Sequence, residues 1–391
     1  MKLAIIGAGA SGLVAAIKCK EKSPESEVFL FDRMDDVGKK IRATGNGKCN
    51  IGNLDQTFEC YSNSQFVEEI ISSYKQEETL LSLGLPTKIM YGSGLYPVSE
   101  SASNVVKVLR DRALFLGVNI ILNAKLLDYQ IENEKINLRF DKYQAVVDKV
   151  IFAVGGKSNP NLGSDGSLFD VFARHGYLII KPEPGLCPIR VQEDVKSLFG
   201  QRLHTIASLF INGEFIFEEY GEVMFKKDGL SGIVIMNLSS LIGRLKAPNA
   251  KIYLAILNQN NEVITAKNLF EVSKKSANPL LAFVGEELAT YILTLAHIKI
   301  DHDLSFEECQ TIAALAAAIP FTFVNRYDFS FSQVTLGGID INNLNRDLSS
   351  KLEKNVYFAG EVIDVDGPCG GYNLRWAIGS SLRVADEIDL S

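Results

Sequence analysis

Residues 7–12 read Gly-Ala-Gly-Ala-Ser-Gly, and this string sits between two apolar segments. Before it, Leu3–Ile6 is a short apolar run with no polar alternation, as expected of a strand buried on both faces. After it, Ser11–Lys20 has helical composition, with Leu13, Ala16 and Ile17 on one apolar face. Val28–Phe31 then reads as a second buried strand. The order strand, tight turn, helix, strand is a βαβ start and predicts a parallel sheet. In such a turn Gly7 makes the bend, Gly9 lets a pyrophosphate approach the backbone, and Gly12 lets helix and strand pack closely. Ala10 and Ser11 open the helix, whose free N–H groups and partial positive charge suit phosphates. Asp32 ends the second strand 20 residues after Gly12, where a carboxylate would bond ribose hydroxyls. A glycine string alone is weak. With strand, helix, strand and acid in place it predicts a dinucleotide-binding fold.

A chain of 391 residues exceeds one comfortable core, so two or three domains are expected. The formal charge of −7 argues against non-specific nucleic-acid binding, although a local basic cleft stays open. No apolar run approaches the roughly 20 residues that span a bilayer, so no membrane association is expected. Leu3–Ile6 is too short for a signal-peptide core and runs directly into glycines. Cys19, Cys49, Cys60, Cys187, Cys309 and Cys369 are scattered without ligand-like pairing, which suggests reduced thiols in the cytoplasm. Four histidines without HxH or HExxH spacing give no reason to expect a metal. Oligomeric state is not readable.

Along the chain, residues 64–117 read as mainly helical, most clearly Asn104–Leu116. Val118–Leu122, Leu126–Ile131, Ile136–Phe140 and Val146–Val154 read as strands. Texture changes near Pro182–Pro188. There Ser208–Ile211 and Phe215–Phe217 flank Asn212-Gly213, a hairpin signal because both central residues of a type I′ turn need positive φ. Val223–Phe225, Ile233–Met236 and Lys251–Leu254 read as further strands, and Leu280–Thr294 and Phe306–Ala318 as helices. The expected plan is α/β. Residues 1–187 and 326–391 form a discontinuous Rossmann-type FAD-binding domain. Residues 188–261 form a β-rich insertion taken as the substrate domain, to which 319–325 can belong. Residues 262–318 form a helical subdomain.

The C-terminus favours FAD over NAD. Tyr357-Phe358-Ala359-Gly360-Glu361 is a strand meeting a glycine and an acid, and Gly370-Gly371-Tyr372-Asn373-Leu374 opens a helix running to about Ile388. Reduced flavin carries negative charge at N1 and O2, which a second helix N-terminus stabilises. Gly45-Asn46-Gly47-Lys48-Cys49-Asn50 is a glycine-flanked polar loop whose backbone could lie against a flat ring, with Asn46 and Asn50 at its polar edge. Cys49 reads as a buried inert thiol in preference to a redox group. Phe152-Ala153-Val154-Gly155-Gly156 resembles the strand-to-glycine crossing by which such proteins return under the cofactor. No second GxGxxG is present, so a dedicated NAD(P)H domain is not expected.

Together these motifs resemble the BaiN-like bacterial flavoproteins, also called the aminoacetone oxidase family of FAD-binding enzymes. The resemblance covers nearly the whole chain. It rests on GAGASGL at the start, GKKIRATGNGKCN at 38–50, LYPVSESASNVV at 95–106 and IFAVGG at 151–156. It continues with GLSG at 229–232, VTLGGID at 334–340 and YFAGEVIDVDGPCGGYNLRWA at 357–377. It implies three parts, a discontinuous FAD domain, a β-barrel-like insertion and a helical subdomain, with FAD contacts at Gly7, Gly9, Gly12, Asp32, Arg33, Lys40, Asn46, Gly47, Gly360, Glu361, Gly371, Tyr372, Asn373 and Leu374. There are departures. Phe225-Lys226-Lys227-Asp228 stands where many members have Thr-His, Ile233 where a proline is usual, and Arg42 where an aliphatic residue is common.

The leading functional expectation is oxidation of a small amine such as aminoacetone. Hydride would pass to the flavin, the imine would hydrolyse to methylglyoxal and ammonia, and oxygen would become hydrogen peroxide. The first alternative is an NAD(P)H-dependent reductase of an activated double bond or ketone. The second is a flavin-bound sensor without turnover. The expected partners are a small-molecule substrate and molecular oxygen. No catalytic side chain stands out.

Overall fold

The computed structural model describes residues 1–55, 57–300 and 302–391. The chain forms two compact units, Met1–Gly185 with Ser332–Ser391, and Leu186–Phe331.

The first unit is built on a five-stranded parallel sheet. Its order is Val356–Phe358, Lys149–Phe152, Lys2–Ile6, Glu27–Phe31, Asn119–Ile121. Leu3 pairs with Val28 on one side and Lys149 on the other, and Leu3, Ala4 and Ile5 are fully buried. That burial is why the strand carries no polar alternation. Helix Ala10–Lys22 crosses between the first two strands and packs against the C-terminal helix Tyr372–Glu387 and against Ala102–Phe115. The N-terminal and C-terminal ends of the chain therefore make one core.

Five expectations need correction. Leu280–Thr294 is not one helix: a 3-10 turn at Pro279–Ala282 precedes the helix Glu286–Ala296, whose N-cap is Gly285. Phe215–Phe217 and Val223–Phe225 are not separate strands but parts of one, Glu214–Phe225. The run Val146–Val154 is not one strand. Gln144–Val147 belongs to an antiparallel sheet with Leu126–Glu132 and Lys135–Phe140, whereas Lys149–Phe152 joins the parallel sheet. The chain changes sheets at Asp148, whose carboxylate accepts from Lys2 N at 2.7 Å and pairs with Lys135. Residues 64–117 are only partly helical. Thr87–Met90 and Gly94–Pro97 form a hairpin that continues into Gly52–Asn53, turning through Tyr91 and Gly92 at positive φ. Finally, Ile233–Met236 begins the helix Ile233–Arg244 and is not a strand. Its β-branched opening resembles a strand, but Val234, Ile235, Leu238 and Ile242 are buried on one helical face.

The second unit holds a closed six-stranded barrel. Around it run Ile189–Val191, Gly229–Ser231, Glu214–Phe225, Arg202–Ile211, Ala250–Leu254 and Ile319–Arg326, which returns to the first. Asn212 and Gly213 make the hairpin turn with φ of +52° and +85°. Ala207, Leu209, Val223, Phe225, Ile252 and Phe321 fill the core. Helices Ala266–Ser273, Glu286–Ala296 and Phe306–Ala317 lie in the same unit, and residues 319–325 close the barrel. Ser305 and Glu308 form a capping box that starts the last of these helices. Among the described residues, no helix is long and apolar enough to cross a membrane.

Candidate functional site

The site predicted from sequence lies in the first unit, where two helices begin beside the C-terminal ends of parallel strands. Two of the three signature glycines are explained by the protein alone. Gly7 has φ +102°, and a Cβ there would collide with the carbonyl of Ala153. A Cβ on Gly12 would collide with the carbonyl of Gly7, so its absence lets the helix lie close on the turn. Gly9 differs. Its φ of −80° suits any residue, and an added Cβ meets nothing within 4 Å. Neither backbone conformation nor packing demands glycine there. The position leaves open backbone at the helix start, and a pyrophosphate would fit against it. Ala10 is the first helical residue, and no side chain caps this helix. Ser11 is buried under Gly360, whose φ is +79° and where a Cβ would collide with Ser11 Oγ.

Asp32 ends its strand as expected. Its Oδ2 accepts from Ala8 N at 2.6 Å and its Oδ1 from Met34 N at 2.8 Å. Burial pushes its carboxyl above the usual aspartate range, opposed by those two N–H groups. A carboxylate keeps further lone pairs for ribose hydroxyls. Arg33 forms an ion pair with Asp165.

Lys40 and Glu361 meet. The ammonium lies 2.6 Å from Glu361 Oε2 and also bonds Ser158 Oγ. Ser158 Oγ donates to Glu361 Oε1 at 3.0 Å, and Thr335 N donates to the same oxygen at 2.8 Å. Gly155, at φ +70°, lies beside this cluster, since a Cβ there would stand 3.8 Å from Glu361 Oε2. Sequence reasoning missed Ser158 and Thr335. Thr335 packs against Gly156, where a Cβ would collide with Thr335 Oγ1.

The loop at 44–50 runs through four residues at positive φ, Gly45, Asn46, Gly47 and Cys49, with φ of +55°, +52°, +83° and +61°. Asn46 and Gly47 are exposed, and a Cβ on Gly47 meets nothing within 4 Å. Cys49 is fully buried, and burial pushes its thiol up to about 11, which leaves it an unreactive thiol. Gly371 is the N-cap of the C-terminal helix at φ +99°, and among the described residues no side chain caps it. Tyr372 donates through its hydroxyl to Asp55 Oδ2 at 3.1 Å. Asn373 ties down the preceding turn, accepting from Gly367 N at 3.0 Å and donating to Gly367 O at 2.9 Å. Leu374 packs partly buried against the core. The structure thus brings the phosphate turn, Asp32, Lys40 and Glu361, the polar loop and the C-terminal helix start into one unit. One feature fits a flavin ring here. Asn50 Oδ1 is buried without a hydrogen-bond partner among the described residues, and it lies beside Gly371.

A family described as HI0933-like protein Rossmann domain matches residues 1–387. The chain is 28% identical over 394 residues to a 3-dehydro-bile acid delta(4,6)-reductase of Clostridium scindens, covering 96% of each. It is 26% identical over 406 residues to a ribosomal RNA dihydrouridine synthase of Haemophilus influenzae, covering 98% of this chain and 97% of the other. A solved 3-ketosteroid-delta4-(5alpha)-dehydrogenase from Rhodococcus jostii RHA1 is 12% identical with a TM-score of 0.49, over 99% of this chain and 96% of that one. With the nucleotide turn and the second helix start in place, the chain belongs to the HI0933-like Rossmann family of FAD-binding flavoproteins, and it is an FAD-dependent oxidoreductase.

Proposed function

We propose that this flavoprotein is a reductase that adds two hydrogens across a carbon–carbon double bond conjugated to a carbonyl, in a small molecule. The observation that carries this reading is full-length likeness to relatives of two different names that share one chemistry. Delta(4,6) reduction of a 3-dehydro bile acid and formation of dihydrouridine both saturate a ring C=C in conjugation with a ring carbonyl. The electron donor is a nicotinamide, which visits without a dinucleotide motif of its own.

When bound, FAD supplies the two-electron relay between that donor and the acceptor. The chain supplies position and charge. The open backbone at Gly9 and the uncapped helix at Ala10 would take the pyrophosphate. Asp32 would hold the adenosine ribose. Glu361, fixed by Lys40, Ser158 and Thr335 N, would present its carboxylate to the ribityl hydroxyls. The start of the C-terminal helix would place positive potential against the ring's carbonyl edge.

A small acceptor is favoured over RNA by the charge pattern. The chain carries −7 overall, and four cations around the site are matched by acids. Arg33 pairs with Asp165, Lys39 with Asp35, Arg42 with Asp36 at 2.8 Å, and Lys48 with Glu100 at 3.1 Å.

The family resemblance read from the sequence pointed to amine oxidation, with oxygen as acceptor. One assay separates the two readings. The holoprotein is incubated anaerobically with NADPH or NADH and a cyclic enone, and the product is weighed by mass spectrometry. A product heavier by two hydrogens, formed with matching nicotinamide oxidation, is expected. No enone product, together with peroxide formed from a primary amine in air, would overturn the reductase reading.

A further inference from the structure

The start of the C-terminal helix is ringed by polar side chains, and nearly all of them are occupied. Asn53 donates to Gly370 O at 2.9 Å and accepts from Asp55 N at 2.8 Å. Gln76 bonds both the N–H and the carbonyl of Asn53. The Tyr372 hydroxyl is held by Asp55, and the Asn373 amide by Gly367 and Pro368. Asn50 is the exception. Its Oδ1 is buried, accepts no hydrogen bond among the described residues, and would stand 2.8 Å from a Cβ on Gly371. A buried acceptor left without a donor is costly, so such a group is matched by something that brings one.

We propose that Asn50 Oδ1 accepts the N3–H of the flavin ring and thereby selects the ring's pyrimidine edge. This rests on FAD being the group bound in the first unit. The chemistry of the ring fixes the assignment. Oxidised isoalloxazine has one N–H, at N3, flanked by the C2 and C4 carbonyls. An uncapped helix N-terminus attracts a carbonyl or anionic edge, here the side bearing N1 and the C2 oxygen. N3–H is next to that oxygen. An acceptor beside the helix terminus therefore faces N3–H. Gly371 has to be glycine for this arrangement: a Cβ would crowd Asn50 Oδ1 and collide with Gly52 O.

The test uses the full chain stripped of flavin and reconstituted with FAD or with FAD methylated at N3. Affinity is read from the quenching of flavin fluorescence, independently of turnover. Unchanged protein is expected to prefer FAD over the methylated form by roughly 10- to 100-fold, the penalty for an unmet buried acceptor. Asn50→Asp keeps an acceptor of the same shape and is expected to keep the preference. Asn50→Leu has similar volume but no acceptor, and is expected to bind the two flavins within about threefold of each other. Circular dichroism of each flavin-free variant confirms the fold. Asn50→Leu retaining the full preference, or unchanged protein binding both flavins equally, would overturn the assignment. Unchanged protein that takes up neither flavin would overturn the flavin reading beneath it as well.

Discussion

Lys40 and Glu361 lie 321 positions apart in the chain, yet their charged groups stand 2.6 Å apart in the fold. Each is about three-quarters or more shielded from solvent, with side-chain exposures of 24% and 20%. The pair joins the helix after the second strand to the turn that follows the last strand of the parallel sheet. It sets a carboxylate where the phosphate turn and the C-terminal helix converge in one core.

That pair gives a first expectation. Lys40→Met leaves the Glu361 carboxylate shielded without its cation. A loss of about 1–3 kcal/mol is expected, with weakened flavin retention. Combining Lys40→Met with Glu361→Gln removes both charges and recovers part of the loss. A double-mutant cycle in urea measures the coupling, expected at about 1–2 kcal/mol. Strict additivity would show the contact to be energetically idle.

Gly9 and Gly12 separate ligand demand from fold demand. Gly9→Val places its Cβ where no described residue comes within 4 Å, so the flavin-free chain keeps its melting temperature within about 2 °C. Flavin content falls to near zero. Gly12→Ala drives a Cβ into the Gly7 carbonyl, and the flavin-free chain melts lower by roughly 5 °C or more. Calorimetry with flavin stoichiometry checks both. Stoichiometric FAD in Gly9→Val would remove the pyrophosphate from that turn.

Asp32 links flavin binding to pH. Burial raises its carboxyl above the ordinary aspartate range in the flavin-free protein. Ribose hydroxyls donate more strongly to the ionised form, so binding lowers that value and releases a proton. Affinity for FAD therefore rises with pH from the ordinary aspartate range up to the raised value, and levels off above it. Asp32→Asn binds more weakly and loses this slope. Fluorescence titrations at a series of pH values from acid to neutral read the difference. An unchanged slope in Asp32→Asn would place the titrating group elsewhere.

How much of this was readable from sequence follows the range of the interactions. Gly7, Gly9, Gly12 and Asp32 work within one βαβ unit, so spacing alone locates them. Asn212-Gly213 is equally local, because two adjacent residues at positive φ define the turn. The pairing of Lys40 with Glu361, and the closure of that cluster by Ser158 and Thr335, depends on the ends of the chain folding together. Neighbouring residues do not encode it. The family resemblance named Lys40 and Glu361 as cofactor contacts but not as partners. Asp148 hid a change of sheet because the apolar runs on both sides of it look continuous. Ile233–Met236 misled for a different reason: an isoleucine- and valine-rich run of four fits a strand or a buried helix turn equally well, and packing decides.

The reductase reading turns on where electrons leave the protein. The holoprotein is reduced anaerobically until its flavin band disappears, then mixed in separate runs with a cyclic enone and with air-saturated buffer. The enone is expected to restore the band faster than air does, with one saturated ketone formed per flavin. A flavin that stays bleached with every enone offered, but recovers in air within seconds and yields peroxide, would contradict the proposed function and favour an oxidase.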